Sequence, residues 1–159
     1  MNRFLDIITI MMFSGFFYYT FEGVFNSIFT PQTIKENMQD VNNDNIRDGY
    51  ILGFGFCSYW MILLGAIIGV GMFGIYCIPI FQKYFMLPVY CLISGITITS
   101  VELGAGSLFN KITKLRIWNY SNEKLNYKGH ISLFRSLAWI ALGIPIWYLC
   151  KLLFNAIWL

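Results

Sequence analysis

Long apolar runs alternate with polar segments along the chain. A transmembrane helix needs about 20 consecutive, mostly apolar residues, and four runs reach that length. They cover residues 7–29, 50–75, 85–109 and 131–158. The pattern predicts an all-α fold, in which a bundle of four transmembrane helices forms a single transmembrane domain over residues 1–159.

The second run allows two interpretations. Its apolar character reaches Ile80, which is long for one crossing, so we expect a tilted helix or a helix that ends near Pro79 with a turn at the membrane interface. The alternative is that residues 50–80 form two re-entrant halves. The first run is interpreted as an ordinary transmembrane helix rather than a cleavable signal peptide, since it is too long and lacks a small-residue cleavage site.

The composition supports a membrane protein. Hydrophobic residues make up 57% of the chain and charged residues only 12%, whereas a soluble domain has about 25% charged residues. The composition therefore argues against both a soluble enzyme and a disordered chain. The sequence contains no GxxxxGK[ST], GxSxG, HExxH or CxxC motif and a single histidine, so we predict no enzyme activity, no cofactor and no metal site. The cysteines lie singly in apolar runs and are expected to be buried apolar residues.

The distribution of basic residues predicts the orientation in the membrane. Cytoplasmic loops are richer in Lys and Arg than external ones. The first and third loops, with the start of the fourth run, hold eight basic residues, and the other side holds three. We therefore expect a multi-pass protein of the cell membrane with its first and third loops in the cytoplasm.

The third loop, residues 110–130, is basic and aromatic. The stretch from Asn110 to Trp118 is expected to form a short interfacial helix, and Trp118, Tyr120 and Tyr127 suit the aromatic belt at the membrane surface. Basic residues beside a membrane span commonly face anionic lipid headgroups, so we expect membrane lipids, and no nucleic acid, as partners of this loop.

Ionisable residues inside the apolar runs are candidates for function. A charged group at bilayer depth costs about 2.5–3.5 kcal/mol on insertion scales. Glu22 and Glu102 each lie about seven residues before the same end of their runs, so they are expected at one depth. Arg47, Arg135 and His130 lie at or near that end of the second and fourth runs. These five residues are predicted to converge near the cytoplasmic surface, with Asn26 on the face of Glu22.

Three interpretations of this polar layer stay open. The layer is a structural clamp that holds the bundle together. Alternatively, it is a binding site or a proton-linked site. In the third interpretation, one or both acids face water. Glycines at small-xxx-small spacing, Gly65 with Gly69, indicate a packed bundle or a subunit interface, and the alternative is that glycine is simply frequent in such helices. Gly71 and Gly74 would extend that thin surface, and Ser100 with Gly104 would form another on the third run.

These segments together resemble the bacterial family of putative ABC-transporter type IV proteins. YYTFEGVFNSI carries Glu22, RDGYILGFGFCSYW carries Arg47, and SVELGAGSLFNKI carries Glu102. RIWNYSNEKLNYKGHISL supplies the loop motif of Trp118, Asn119, Tyr120 and Ser121, and SLAWIALGI lies in the final run. The similarity covers nearly the whole chain.

The chain departs from the family pattern at several positions. Asn119 replaces the usual Asp, Gly129-His130 replaces Gly-Arg, Asp48 separates Arg47 from its Gly, and the prolines expected early in the second run are missing. A recognisable EAA-type coupling loop is also missing. These differences concern the ligand more than the fold.

The leading hypothesis is a permease-like membrane subunit of a transporter, whose acids bind a cation or take up protons. It would act with a second copy or a partner membrane subunit, and with a separate ATPase. The alternative is a scaffold or regulatory subunit without transport, in which the polar layer is a clamp. An intramembrane enzyme acting on lipid is a third hypothesis, which requires an exposed nucleophile or a metal site that the sequence does not identify.

Overall fold

The structure, a computed structural model, describes residues 3–29, 59–113, 118, 120–121 and 123–158. Within these ranges it contains four α-helices, two short 3-10 helices and a two-stranded hairpin. The α-helices are α1 (Arg3–Phe29), α2 (Trp60–Tyr76), α3 (Leu87–Thr113) and α4 (Leu133–Trp158). The 3-10 helices are Pro79–Gln82 and Tyr84–Met86, and the strands are β1 (Asn126–Tyr127) and β2 (Ile131–Ser132).

Three helical segments are long and apolar enough to cross a membrane. They are Leu5–Ile28, Tyr84–Ile112 and Leu133–Ile157, which match three of the four predicted runs to within a few residues. The described part of the second run, α2, is an apolar helix of 17 residues, or about 25 Å at 1.5 Å per residue. Residues 50–58 lie outside the described residues, so the choice between one crossing and a re-entrant pair is not tested.

Glycines let α1 and α2 pack closely as an antiparallel pair. A Cβ added at Gly65 would lie 2.5 Å from the Tyr18 Cβ, and one added at Gly69 would lie 2.0 Å from the Ser14 Cβ. Gly15 faces the Ile62 carbonyl in the same way, at 2.5 Å. The predicted contact through Gly65 and Gly69 is therefore confirmed, because any side chain there would push the helices apart.

The second antiparallel pair, α3 with α4, uses glycines that the sequence analysis did not select. A Cβ at Gly95 would lie 2.2 Å from the Ile140 side chain, and one at Gly143 would lie 2.6 Å from the Cys91 Cα. Among the described residues, nothing lies within 4 Å of a Cβ added at Gly71, Gly74 or Gly104. These three glycines therefore make no close helix contact within the described residues, and a contact with another subunit stays a prediction.

Pro79 explains why the connection between the two helix pairs begins where it does. Helix α2 ends at Tyr76, and Pro79 begins the first 3-10 helix, where its missing N–H and fixed φ are tolerated. The indole Nε1 of Trp147 on α4 donates to the Phe81 carbonyl at 2.7 Å and anchors the turn. The expected helix end near Pro79 is confirmed.

A compact hairpin precedes α4. Strands β1 and β2 pair antiparallel, with Tyr127 opposite Ile131. Leu125 and Lys128 (φ 54° each) and Gly129 (φ 72°) adopt left-handed backbone conformations that tighten the turns. Asn126 fixes them, because its amide donates to the Ser121 and Glu123 carbonyls and its Oδ1 accepts from the Gly129 N–H. We call residues 118–132 the hairpin, of which 119 and 122 are not described.

The predicted interfacial helix from Asn110 to Trp118 is only partly covered. Residues 110–113 continue helix α3, and residues 114–117 lie outside the described residues. Aromatic rings join the pairs at the hairpin end of the bundle, where Trp139 of α4 stacks on Tyr18 and contacts Phe21 and Phe25 of α1. This aromatic layer brings α1 beside α4 and thereby positions the acids.

Candidate functional site

Glu102 is fully buried between α1 and α4. Its Oε1 accepts a hydrogen bond from the Tyr18 hydroxyl, and its Oε2 accepts one from Trp139 Nε1, both at 2.9 Å. The side chain is 0% exposed. An indole N–H can only donate, so Trp139 suits an acceptor oxygen. Both carboxylate oxygens are therefore held in place by aromatic side chains of two neighbouring helices.

Glu22 lies beside this arrangement on α1, one turn after Tyr18. It is 2% exposed, and its carboxylate is within electrostatic range of Glu102 and Arg135. The structure thus brings the two sequence-predicted acids into one buried region. Helix α3 extends to Thr113, so Glu102 lies 11 residues before its end, and Glu22 lies seven residues before Phe29, the last described residue of α1. That both acids lie at one membrane depth stays a prediction.

Arg135 of α4 joins three parts of the molecule. Its Nε donates to Glu123 Oε1 of the hairpin at 2.8 Å, and its Nη1 donates to the Oδ1 of Asn26 on α1. The guanidinium lies 4.9 Å from the centroids of the Phe25 and Tyr120 rings, a distance at which cations are attracted to ring faces. The side chain is 3% exposed.

Hydrogen bonds at the start of α4 fix the position of Arg135 relative to the hairpin. The Ser132 hydroxyl accepts a hydrogen bond from the Arg135 N–H, which is the usual N-cap contact. The same hydroxyl donates to Glu123 Oε2. Glu123 therefore binds both the N-cap residue and the guanidinium, and its negative charge faces the positive end of the helix dipole.

The aromatic residues of the hairpin turn inward. Trp118 is 4% exposed and its Nε1 donates to the His130 carbonyl at 2.7 Å. Tyr120 is 3% exposed and lies within electrostatic range of Glu102 and Glu22. Only Tyr127 is largely exposed, at 53%. The expectation that Trp118 and Tyr120 face the membrane surface is therefore wrong, because both rings are buried against the bundle.

Tyr120 keeps its proton at neutral pH. Burial, followed by the negative charges of Glu102 and Glu22, raises the pKa of Tyr120 well above its usual value of about 10. Its hydroxyl oxygen is buried and has no hydrogen-bond partner within the described ranges. A neutral, buried hydroxyl therefore lies within electrostatic range of the two acids.

The remaining predicted residues are placed as follows. His130 is buried, and its ring lies against Gly106, one turn after Glu102 on α3; a Cβ at Gly106 would be 2.9 Å from Nδ1. Ser121 is exposed, and its carbonyl accepts from Asn126. Arg47 and Asn119 lie outside the described residues.

Sequence reasoning missed Tyr18, Trp139, Glu123 and Ser132. Tyr18 lies four residues before Glu22, and Trp139 lies four residues after Arg135, so helical spacing places each on the face of a predicted residue. That spacing could have identified them. Nothing in the sequence distinguishes Glu123 from other loop acids, since its role depends on the fold of the hairpin.

The arrangement places several ionisable side chains in a buried region. The described residues contain no group of three or more His, Cys, Asp or Glu side chains that could hold a metal ion. What they provide is two neighbouring carboxylates, aromatic hydroxyl and indole donors, and one guanidinium. Such a set suits uptake of a proton or a monovalent cation, or a rigid polar clamp.

Comparison with known proteins gives a family but no near relative. No curated protein and no solved structure matches the chain. A model of the family described as Putative ABC-transporter type IV matches residues 9–158. The matched range contains Glu22, Glu102, Arg135 and the whole hairpin. The chain belongs to the Putative ABC-transporter type IV family.

Proposed function

We propose that the protein is a permease-like membrane subunit of a transporter, and that the buried region around Glu22 and Glu102 is its ion-linked site. The observation that carries the proposal is the convergence of two carboxylates from α1 and α3 with Arg135 from α4, all at most 3% exposed. Ionisable residues are rare within membrane spans and commonly mark ion or proton pathways. The family description supports transport rather than catalysis.

The proposed topology is a bundle of four spans with the hairpin end in the cytoplasm. The apolar α2 supplies the second span together with residues that precede it, and the excess of basic residues favours this orientation. His130 flanks the site, and Arg47 stays a candidate at the same end. Because four helices enclose little volume, we propose a second copy or a partner membrane subunit, with ATP hydrolysed by a separate ATPase.

The test uses the full-length protein, purified with any subunits that remain bound and reconstituted into lipid vesicles. Movement of H⁺ is followed with an enclosed pH-sensitive dye, and movement of Na⁺ and K⁺ with ion-sensitive dyes, with and without ATP. We expect Glu22→Gln and Glu102→Gln to keep the melting temperature within a few degrees and to lose movement of at least one ion. Asp6→Asn is the matched control, because Asp6 is an acid of α1 at its opposite end.

A second function is favoured by one specific contact set. Both oxygens of Glu102 already accept hydrogen bonds from Tyr18 and Trp139, as expected of a clamp that holds α1, α3 and α4 together in a scaffold subunit. In that case Glu102→Gln lowers the melting temperature strongly, and the wild type moves no ion under any condition. Intact stability with normal ion movement in the Glu22→Gln/Glu102→Gln double variant would contradict both functions of the acids.

A further inference from the structure

A lysine near the end of the bundle opposite the hairpin lacks an acidic partner in the described part of the chain. Lys151 lies on α4, 19 residues after Ser132, or about 28 Å further along the helix at 1.5 Å per residue. That distance is close to the thickness of the hydrocarbon core, about 30 Å. No described carboxylate forms an ion pair with the Lys151 ammonium, so its positive charge is not neutralised by this part of the protein.

Aromatic side chains hold this ammonium in place. Its Nζ donates a hydrogen bond to the Tyr84 hydroxyl oxygen at 3.1 Å. The same nitrogen lies 4.8 Å from the centroid of the Tyr84 ring and 5.6 Å from that of the Trp147 ring, within the distance of about 6 Å at which ring faces attract a cation. A lysine that is already ordered loses less side-chain entropy when it binds a ligand.

The rings around Lys151 form one cluster. The Tyr84 and Trp147 centroids are 4.9 Å apart, and the Trp147 and Tyr148 centroids are 5.2 Å apart. Trp147 is buried and donates to the Phe81 carbonyl, whereas Tyr84 and Tyr148 are exposed. Tyr and Trp side chains with one buried and one open side are typical of the membrane–water interface. The cluster therefore places the ammonium at the level of the lipid headgroups.

The hydrogen-bond donors of the cluster are only partly used. An ammonium has three N–H donors, and the Lys151 ammonium gives one of them to Tyr84. The Tyr84 hydroxyl accepts that bond, so its own O–H stays available for donation. Within the described ranges neither group makes another hydrogen bond. A positive charge with several free donors matches an anionic group that has several acceptor oxygens, and a phosphate group has this chemistry.

Apolar surface continues from the cluster toward the middle of the bundle. Val89, Leu92 and Ile96 are exposed and recur at a spacing of three and four residues, so they lie on one face of α3. On α4, Ile144 is exposed one turn before Tyr148. A free phosphate ion would leave this apolar surface unused. A ligand with both a phosphate group and hydrocarbon chains fits the charged and the apolar parts together.

We propose that Lys151 and Tyr84 bind the phosphate group of a membrane phospholipid in the leaflet opposite the hairpin. Lys151 supplies the positive charge and N–H donors, and Tyr84 supplies an O–H donor. Trp147 is a positioning residue, because its ring holds the ammonium without touching the phosphate. The site is separate from the buried acids and does not require transport.

Native mass spectrometry tests the proposal on the full-length protein, purified in detergent and titrated with phosphatidylglycerol. The comparison lipid is a diacylglycerol with the same chains, which lacks the phosphate group. We expect phosphatidylglycerol to stay bound at lipid concentrations at which diacylglycerol is lost. Inorganic phosphate at millimolar concentration should not displace the bound lipid, because it gains nothing from the apolar surface.

Three variants locate the bound lipid. Lys151→Gln removes a charge-assisted hydrogen bond, so it should weaken the binding of one lipid per chain roughly ten-fold. Tyr84→Phe keeps the ring and removes the hydroxyl, and it should weaken the same lipid about three-fold. Lys83→Gln is the matched control, because Lys83 is an exposed lysine at the same end of the bundle, and it should leave the number of bound lipids unchanged.

Each remaining outcome would overturn the assignment. Equal retention of phosphatidylglycerol and diacylglycerol would show that the phosphate is not recognised, and displacement by inorganic phosphate would show that the lipid is not required. An equal effect of Lys83→Gln and Lys151→Gln would mean that only the total charge matters. Should Lys151→Gln fail to fold, Tyr84→Phe against Tyr148→Phe decides alone, and equal lipid binding by these two variants overturns the proposal.

Discussion

Glu102 is satisfied by two aromatic donors, and their loss should be measurable. Tyr18→Phe and Trp139→Phe each remove one donor and leave a buried carboxylate oxygen without its hydrogen bond, at a cost of about 1–3 kcal/mol in unfolding free energy. We expect a lower melting temperature in detergent for both variants. Tyr148→Phe, at a tyrosine of α4 that is 46% exposed, should change it little.

The same pair of donors allows a double-mutant cycle. In a Glu102→Leu background, Tyr18→Phe should cost less than in the wild type, because the acceptor is already gone. The coupling expected for residues in one hydrogen-bond network is about 0.5–3 kcal/mol. Equal costs in both backgrounds would mean that Tyr18 stabilises the bundle through its ring alone.

The absence of a Cβ at Gly69 allows α1 and α2 to approach closely. A Cβ there would lie 2.0 Å from the Ser14 Cβ, so we expect Gly69→Ala to destabilise the protein by about 1–3 kcal/mol through overpacking. Ser14→Gly should partly restore the Gly69→Ala variant. Gly71→Ala, where the described structure leaves open space, is the control, and a drop in its melting temperature equal to that of Gly69→Ala would contradict the packing argument.

Among the elements, the hairpin depends most on one side chain. Arg135 binds Glu123 of the hairpin and Asn26 of α1 at once, and lysine cannot reproduce this forked geometry. We expect Arg135→Lys to raise hydrogen exchange of residues 123–132 roughly 30-fold, equivalent to about 2 kcal/mol, with little change in α2. Lys124→Gln, at an exposed position of the same hairpin, should leave exchange unchanged.

The hairpin should also loosen at high pH. The pKa of Tyr120 is raised by burial and by Glu102 and Glu22, so its contribution to stability is complete below the unfolded tyrosine value of about 10. It is lost as the pH rises from there toward the raised folded value. Hydrogen exchange of the hairpin should therefore increase above about pH 10 in the wild type, less in Tyr120→Phe, and as in the wild type in Tyr127→Phe.

At the scale of the whole molecule, the four described helices form two antiparallel pairs joined by aromatic contacts. Tyr76 of α2 contacts Trp147 and Phe154 of α4 at the end opposite the acids, whereas Tyr18 and Trp139 join α1 and α4 near the acids. The polar region therefore lies at the hairpin end of the bundle, and its function depends on which side of the membrane that end faces.

Cysteine labelling determines this orientation. Lys124 and Lys83 are exposed at opposite ends of the bundle, so single cysteines are introduced at either position in a background whose native cysteines are replaced by serine. In intact cells a membrane-impermeant thiol reagent should label Lys83→Cys and not Lys124→Cys, and permeabilised cells should allow both. Labelling of Lys124→Cys from outside would place the hairpin and the acids at the external surface.

Much of the fold could be predicted because lipid imposes a simple length rule. Three predicted runs agree with apolar helices that could span a membrane, and the helix end before Pro79 follows from the chemistry of proline. The convergence of Glu22 with Glu102 followed from the parallel direction of the first and third runs. The end of α3 at Thr113, rather than at residue 109, could not be predicted, because hydropathy locates a helix end only to within a few residues.

The sequence predicted less well which neighbouring helix or loop each side chain contacts. Trp118 and Tyr120 have the composition of an interfacial loop, yet the hairpin turns them into the bundle. Two glycines that belong to small-xxx-small pairs also have different surroundings. Gly69 lies at a helix contact, whereas a Cβ at Gly104 would meet no described atom within 4 Å. Side-chain periodicity indicates a helix face but not which neighbour covers it.

The sequence by itself determined that this chain lies in a membrane, where its helices run and which acids are buried with them. The physical reason is that apolar length and the cost of burying charge are local properties of a segment. Only the tertiary structure decided that Tyr18 and Trp139 hold Glu102, that Glu123 pairs with Arg135 and that Tyr120 is buried within electrostatic range of the acids. Those contacts join residues up to 84 positions apart, and they depend on how the helices pack against one another.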